Sequence, residues 1–131
     1  MMTDPIADML TRIRNGVRMR HEQIVVPYSR FKEACLAVLC KEGFLNRVDK
    51  IGEKKGKMLV VWPKYSLVGE AAVSTLRRVS KPSRRFFSSY EDLKDIRHGL
   101  GVRLLTTSKG ILTDKEARAQ KVGGEVLLEV W

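Results

Sequence analysis

The sequence predicts an α+β fold made of two small packed lobes. Its 131 residues are enough for one domain of ordinary size or for two small lobes. Residues 1–64 show the pattern α-β-α-β-β, in which two helices can cover one face of a small sheet. Residues 65–131 contain more strand patterns, so we predict a second, β-rich α+β lobe there.

The first predicted helix begins near Pro5, with Thr3 or Asp4 as its cap. Apolar residues recur at helical spacing on one face, and polar residues occupy the other. The apolar set is Ile6, Met9, Leu10, Ile13 and Val17, and the polar set is Asp4, Asp8, Thr11, Arg12, Asn15 and Arg18.

A strand, a second helix and two further strands complete the first lobe. "QIVVPYS" is a short strand, which Pro27 places at an edge or at a strand end. Ser29 can cap the next helix, which has Phe31 among its core residues and ends at Gly43. "FLNRVDK" and "KMLVVWP" are strands joined by the basic connection "IGEKKG".

The second lobe is predicted to open with a third helix over residues 66–80, which Pro82 ends. "RRFFSSY", "VRLLTT" and "EVLLEVW" then have strand patterns. "TDKEARAQK" has the composition of a short helix capped by Thr113 or Asp114. By composition the "TTSKG" loop is either a polar hairpin or the connection from a strand to that helix, and we interpret it as the latter.

The charge balance points to a polyanionic partner. There are 25 Lys and Arg against 15 Asp and Glu, a formal net charge of +10. The excess is spread over the whole chain, and a folded body of this charge attracts nucleic acid. A basic domain without such a partner is the alternative.

Two cysteines and two histidines give little support for metal or disulfide chemistry. Cys35 and Cys40 lie five apart in one predicted helix, so a disulfide is disfavoured. The cysteine spacing does not match a zinc site. The N-terminus has no signal-peptide pattern, and the longest apolar run is too short to span a bilayer. We expect a cytoplasmic protein without cofactor, metal or membrane contact, monomeric when free.

The residues argue against catalysis. "TTSKG" contains the materials of a phosphate loop, but its glycine follows the lysine, against the P-loop order. Ser108 has no nucleophile-elbow glycines and no adjacent histidine, and His98 is interpreted as a turn residue. A small nucleotide-binding enzyme and a general nucleic-acid-binding module, including one for DNA, remain the alternative functions.

Basic and aromatic residues favour RNA. Arg84 and Arg85 directly precede Phe86 and Phe87 in "SKPSRRFFSSY", and guanidinium and aromatic planes can stack on unpaired bases. In an alternating strand one of the two Phe side chains faces the core, so the other is the candidate stacking surface. Phosphate contacts are expected from Lys55, Arg84, Arg85 and Lys109.

Five segments together carry a family resemblance. They are "DPIADMLTRIRNG" at 4–16, "RVSKP" at 78–82, "GLGV" at 99–102, "TTSKGILTDKEAR" at 106–118 and "GGE" at 123–125. In this order and spacing, they resemble ribosomal protein eight of the small subunit, bacterial type.

The resemblance implies a primary binder of the central domain of small-subunit ribosomal RNA, with the second lobe as the main RNA-binding site. It implies contacts from the loop and from the last strand: Thr106, Thr107, Ser108, Lys109, Gly110 and Glu125. From the first lobe it implies contacts by Thr3, Asp4, Arg12, Arg14, Asn15, Ser29 and Lys32.

The resemblance also implies binding partners, and at three positions the sequence differs from the usual family residue. The implied partners are neighbouring small-subunit ribosomal proteins and the protein's own mRNA, through which members of the family repress their operon. This chain has Ser83 where the family usually has glycine, Phe87 where tyrosine is common, and Thr106 where serine is frequent. Phe87 can stack or pack but has no hydroxyl to donate.

Overall fold

The computed structural model describes residues 5–53 and 56–131, which divide into two compact units. The first unit covers residues 5–74 and the second residues 75–131. Residues 65–74 belong with the first unit, beyond the boundary expected at residue 64. The Tyr65 hydroxyl donates to the His21 carbonyl over 2.7 Å, and Ala72 N–H donates to the Lys64 carbonyl over 2.8 Å.

The first unit has the predicted order α-β-α-β-β, and the α+β fold is confirmed. Its three strands form an antiparallel sheet in the order β1-β3-β2, which leaves β1 with Pro27 at an edge. The elements are α1 (Pro5–Arg18), β1 (Ile24–Pro27), α2 (Arg30–Lys41), β2 (Leu45–Ile51) and β3 (Met58–Pro63).

Both helices of this unit follow local sequence rules. The apolar stripe of α1 is buried through Ile6, Met9, Leu10 and Ile13, as its spacing predicted. The helix cap predicted at Thr3 or Asp4 lies outside the described residues.

At the start of α2, the Ser29 hydroxyl accepts the Lys32 N–H over 3.1 Å, which confirms the predicted cap. Neither Cys35 nor Cys40 is part of a disulfide. Phe31, expected in the core, is 40% exposed, because the buried stripe of α2 instead runs through Cys35 and Leu36.

The second unit is the richer in strands, as predicted. Its strands form one antiparallel sheet in the order β4-β8-β6-β7, and β5 also pairs with β8. The elements are β4 (Leu76–Arg78), β5 (Phe87–Ser88), β6 (Val102–Thr107), β7 (Gly110–Thr113), α3 (Asp114–Gln120) and β8 (Gly124–Val130), with short 3₁₀ turns at Tyr90–Asp92 and Arg97–Gly99.

The third helix predicted over residues 66–80 is wrong. Gly69, at φ +85°, instead forms a turn that is closed by pairing of Tyr65 with Ala71. Thr75 exchanges two backbone hydrogen bonds with Trp131, and β4 then continues this pairing along β8. The apolar spacing resembled a helix, but β-branched residues here satisfy their backbone groups on a distant strand.

A small apolar cluster packs α3 onto the sheet. Leu93, Leu105, Ala117 and Val126 are its buried members, and Val79 and Val122 pack against them. Because α3 follows β7 without a loop, the position of the helix depends on how its first turn is capped.

Thr113 caps α3 in a reciprocal arrangement. Its hydroxyl accepts the Glu116 N–H over 3.1 Å, and the Glu116 carboxylate accepts the Thr113 N–H over 3.2 Å. This capping box satisfies two backbone donors that would otherwise lack partners.

We predict that Thr113→Val lowers the free energy of unfolding by ~1–2 kcal/mol, because it removes the cap acceptor at nearly constant volume. Urea unfolding followed by circular dichroism measures this change. Thr113→Ser is the matched control, since it keeps the hydroxyl; an equal loss of stability in both variants would contradict the capping role.

Candidate nucleic-acid interface

The "TTSKG" segment is the tip of a β-hairpin. It was predicted as a loop from a strand to a helix, but residues 110–113 form β7, which pairs back onto β6. Thr106 pairs with Ile111 and Thr107 with Gly110, so the turn is short. The composition suited either connection, and only the pairing of β7 distinguishes them.

The side chain of Thr107 holds the turn together. Its hydroxyl donates to the Gly110 carbonyl over 2.8 Å and accepts the Lys109 N–H over 3.1 Å. Gly110 has φ +100°, a conformation that residues with a side chain rarely adopt. These interactions leave Ser108 and Lys109 exposed at the tip, where a hydroxyl and an ammonium group face solvent.

A row of three residues crosses the sheet beside this tip. Glu125 on β8 pairs with Thr106 on β6 and with Phe87 on β5. Gly124 makes this close approach possible, because a Cβ at that position would collide with the carbonyl oxygen of Thr106. The sheet therefore brings together residues predicted separately from the loop, the aromatic segment and the last strand.

Glu125 is held by two partners on the segment that precedes β5. The Ser80 hydroxyl donates to Oε2 of Glu125, and Nη1 of Arg85 lies 3.0 Å from the same oxygen. Burial opposes ionisation of Glu125. The hydrogen bonds from Ser80 and Arg85, together with the charges of Arg85 and Arg78, outweigh that effect and lower its pKa. The carboxylate is thus an ionised anchor within a basic surface.

Ser80 was missed as a functional residue. It is fully buried, and its oxygen also accepts the Phe86 N–H over 3.1 Å, so it ties the aromatic segment to β8. The "RVSKP" motif contains this serine, but nothing in the sequence pairs it with Glu125. The family resemblance implies Glu125 as part of the patch, and the structure adds that Ser80 and Arg85 orient it.

The basic aromatic segment is more exposed than predicted. Phe86 is 52% exposed and Phe87 is 69% exposed, so the expectation that one of them faces the core is wrong. The strand β5 is only two residues long, and alternation therefore does not force either ring inward. Arg84 is also exposed, in a tight turn closed by two backbone hydrogen bonds with Lys81.

Three other predicted contacts lie on α1 of the first unit. Arg14 and Asn15 are exposed on α1, and Arg12 bonds to Asp8 over 3.0 Å and to the Val25 carbonyl over 3.3 Å. Thr3, Asp4 and Lys55 lie outside the described residues.

Two predicted contacts at the start of α2 have structural roles. Ser29 uses its hydroxyl as the helix cap, and Lys32 is buried. Burial lowers the pKa of Lys32, and Arg12 adds to this effect while Asp8 opposes it. Their side chains are therefore less available than those at the hairpin tip.

The described residues contain neither a cluster of metal-binding side chains nor a helix that could span a membrane. Within residues 5–53 and 56–131, no three His, Cys, Asp or Glu side chains are placed to hold a metal ion. No helix in the described part of the chain is both long and apolar enough to cross a membrane.

Comparison with known proteins identifies the family. The family model for ribosomal protein S8 matches residues 4–131. The chain belongs to the ribosomal protein S8 family. This is a family of ribosomal proteins and not of enzymes, so membership removes the nucleotide-using enzyme from the alternatives.

Individual S8 relatives match over almost their whole length. Small ribosomal subunit protein uS8 of Caldanaerobacter subterraneus subsp. tengcongensis is 48% identical over 130 residues, which is 99% of this chain and 98% of the relative. The proteins of the same name from Streptococcus equi subsp. zooepidemicus and Thermoanaerobacter pseudethanolicus are each 47% identical over the same shares.

We predict that Glu125 makes the stability of the protein depend on pH. Its pKa is lower in the folded than in the unfolded chain, so its ionised form stabilises the fold at neutral pH. That contribution is lost as the pH falls below the ordinary glutamate range and through the lowered pKa. Unfolding free energies measured from about pH 3 to pH 7 should therefore vary less in Glu125→Gln than in the unmodified chain.

Glu91→Gln is the matched control, because it removes one exposed carboxylate from the same unit. The same acid dependence in the unmodified chain and in Glu125→Gln would show that the Ser80 and Arg85 contacts do not stabilise the ionised form.

Proposed function

We propose that the chain is a primary binder of the central domain of small-subunit ribosomal RNA and that the second unit provides the main contact. The observation that carries this proposal is the exposed hairpin tip, Ser108 and Lys109, beside the row of Thr106, Glu125 and Phe87. The relatives are named as proteins of the small ribosomal subunit, which supports a ribosome-bound protein of the cytoplasm.

The residues of this surface supply different kinds of contact. Lys109, Arg84 and Arg85 hold phosphates and position the protein, whereas the Ser108 hydroxyl can bond to a base edge or to a ribose 2′-OH. Phe87 offers an exposed ring on which an unpaired base can stack. The turn uses the Thr107 hydroxyl internally, so Thr107 and Gly110 shape the loop and contact RNA through their backbones.

Glu125 acts mainly by positioning other groups. It holds Ser80 and Arg85, and through them the segment that carries Phe86 and Phe87. A carboxylate in direct contact with phosphates would be repelled, but one paired with arginine can fix a guanidinium beside the backbone of an RNA helix.

The first unit adds a second set of contacts. Arg14 and Asn15 are the accessible members on α1, and Arg12 is partly engaged by Asp8. Ser29 and Lys32 support the start of α2. The remaining proposed contacts are Thr3, Asp4 and Lys55, which are outside the described residues.

An irregular RNA helix should be strongly preferred over duplex DNA. Gel shifts with a transcript of the central domain, an equal length of duplex DNA and the protein's own mRNA test this preference at one salt concentration. Equal affinity for DNA would favour a general nucleic-acid-binding module.

Binding to the mRNA would support repression of its operon, and sedimentation of the free protein tests whether it is a monomer. Neighbouring small-subunit proteins complete the proposed partners.

We predict that Ser108→Ala weakens specific RNA binding by ~1–3 kcal/mol, the range for one good base contact. Because Ser108 is exposed, we expect Ser108→Ala to fold like the unmodified chain, so a loss of affinity would report the lost contact. Ser74→Ala, an exposed serine of the first unit, is the control. Unchanged affinity and selectivity in Ser108→Ala would exclude Ser108 from the contact.

We predict that Lys109→Ala changes the salt dependence of binding. Removal of one phosphate contact should lower the slope of log affinity against log salt concentration by about 1. Lys64→Ala, an exposed lysine outside the proposed surface, should keep the slope of the unmodified chain. If both variants keep it, then Lys109 is solvated and does not contact phosphate.

A further inference from the structure

Two guanidinium groups lie over the ring of Trp131, at the opposite end of β8 from Glu125. The Cζ atom of Arg97 is 4.9 Å from the ring centroid, and that of Arg77 is 5.8 Å from it. Stacking on an indole ring orients a planar guanidinium while leaving its N–H edges available. Both arginines thus contact the ring of the same tryptophan despite their like charges.

Carboxylates compensate this cluster only in part. Glu129 bonds to Arg77 and, over 2.8 Å, to Arg103, so one carboxylate serves two arginines. Asp95 is paired with Arg118 over 2.7 Å. Arg97 forms no ion pair with any carboxylate among residues 5–53 and 56–131, which leaves a net positive charge at this end of the sheet.

The loop that carries Arg97 has an unfavourable backbone conformation. Arg97 and His98 have φ values of +51° and +56°, and Gly99 follows at +87°. Two consecutive residues with side chains in the left-handed region are costly, and such strain is retained mainly where the surrounding structure requires it.

Neighbouring residues hold this loop in place. Ile96 pairs with Gly101, where a Cβ would come within 2.7 Å of the Ile96 side chain. The ammonium group of Lys115 donates to the Gly99 carbonyl over 3.2 Å. The loop therefore presents Arg97 and His98 to solvent from a fixed position.

We propose that Arg97 and Arg77, oriented by Trp131, form a second phosphate-binding site for RNA. This inference rests on the proposed function and adds a contact that the loop and Glu125 do not provide. Six residue-to-residue steps separate Glu125 from Trp131, or roughly 20 Å at the rise of a β-strand. The site would therefore reach phosphates outside the footprint of the hairpin tip.

The chemistry favours RNA over an acidic protein partner. The guanidinium of Arg97, which has no carboxylate partner among the described residues, matches the two anionic oxygens of a phosphodiester. His98 and Lys115 add further donors beside Arg97, and nearby carboxylates are already paired. The cations Arg77, Arg97 and Lys115 around this loop suit the repeating charge of an RNA backbone better than the isolated carboxylates of a protein.

The first experiment measures the salt dependence of binding to a transcript of the central domain of small-subunit ribosomal RNA. Arg97→Gln should lower the slope by about 1, and Arg97→Lys should restore most of it. Arg47→Gln is the matched control, since Arg47 also stacks on a tryptophan, Trp62, at 4.2 Å but is paired with Asp49. Its slope should equal that of the unmodified chain.

A second readout uses the fluorescence of Trp131. The chain has two tryptophans, so Trp62→Phe leaves Trp131 as the sole reporter. Adding the transcript should change its emission, and Arg97→Gln should abolish that change. Circular dichroism establishes that each variant is folded.

The outcomes separate this inference from the proposed function. RNA binding with an unchanged slope in Arg97→Gln and unchanged Trp131 emission would overturn the second site and leave the first intact. If Arg97→Gln keeps the RNA slope but fails to enter the small subunit, the partner is a protein and the inference is wrong. No binding of the transcript by the unmodified chain would overturn both proposals.

Discussion

The pairing of β8 with three other strands is the constraint on which the second unit depends. Along one side it accepts β4 and β5, and along the other it accepts β6. Because β4, β5 and β6 all pair with β8, the backbone hydrogen bonds to β8 fix the register of each strand. These hydrogen bonds alone align Phe87, Glu125 and Thr106 in one row. Strand pairing therefore places the residues of the candidate interface side by side, independently of the contacts that their side chains make.

Electrostatics then determines what that aligned surface can bind. Two glutamates of the second unit are bound to neighbouring side chains. Glu125 contacts Ser80 and Arg85, and Glu129 contacts Arg77 and Arg103. This pairing fixes the direction of several guanidiniums while the overall charge of the chain remains +10. A surface built in this way attracts polyanions generally and discriminates among them through the position of its fixed donors.

Local signals in the sequence predicted the parts of the fold that local interactions determine. The spacing of Ile6, Met9 and Ile13 and the cap at Ser29 are enough to define α1 and the start of α2. The helix predicted over residues 66–80 was wrong because the backbone partners of this segment include Trp131, which lies outside any short stretch of sequence around it. A helical spacing of apolar residues competes poorly with long-range strand pairing when β-branched residues are present.

The candidate site shows the same division. The composition of the loop identified Ser108 and Lys109, and family resemblance supplied Glu125. The role of Ser80 depends on a contact with a residue 45 positions away. Both Phe86 and Phe87 are exposed, because β5 contains only Phe87 and Ser88 and is too short for strand alternation to bury either ring.

The glycine before Glu125 restricts how the interface can change. A side chain at Gly124 would meet the main chain of Thr106, and main-chain atoms are the same whichever residue occupies position 106. No substitution at that neighbour could make room, whereas a clash between two side chains can be relieved by shortening either one. Redesign of the proposed RNA-binding surface therefore has freedom at the hairpin tip and around Phe87, but none at the crossing point beside them, where Gly124 meets Thr106.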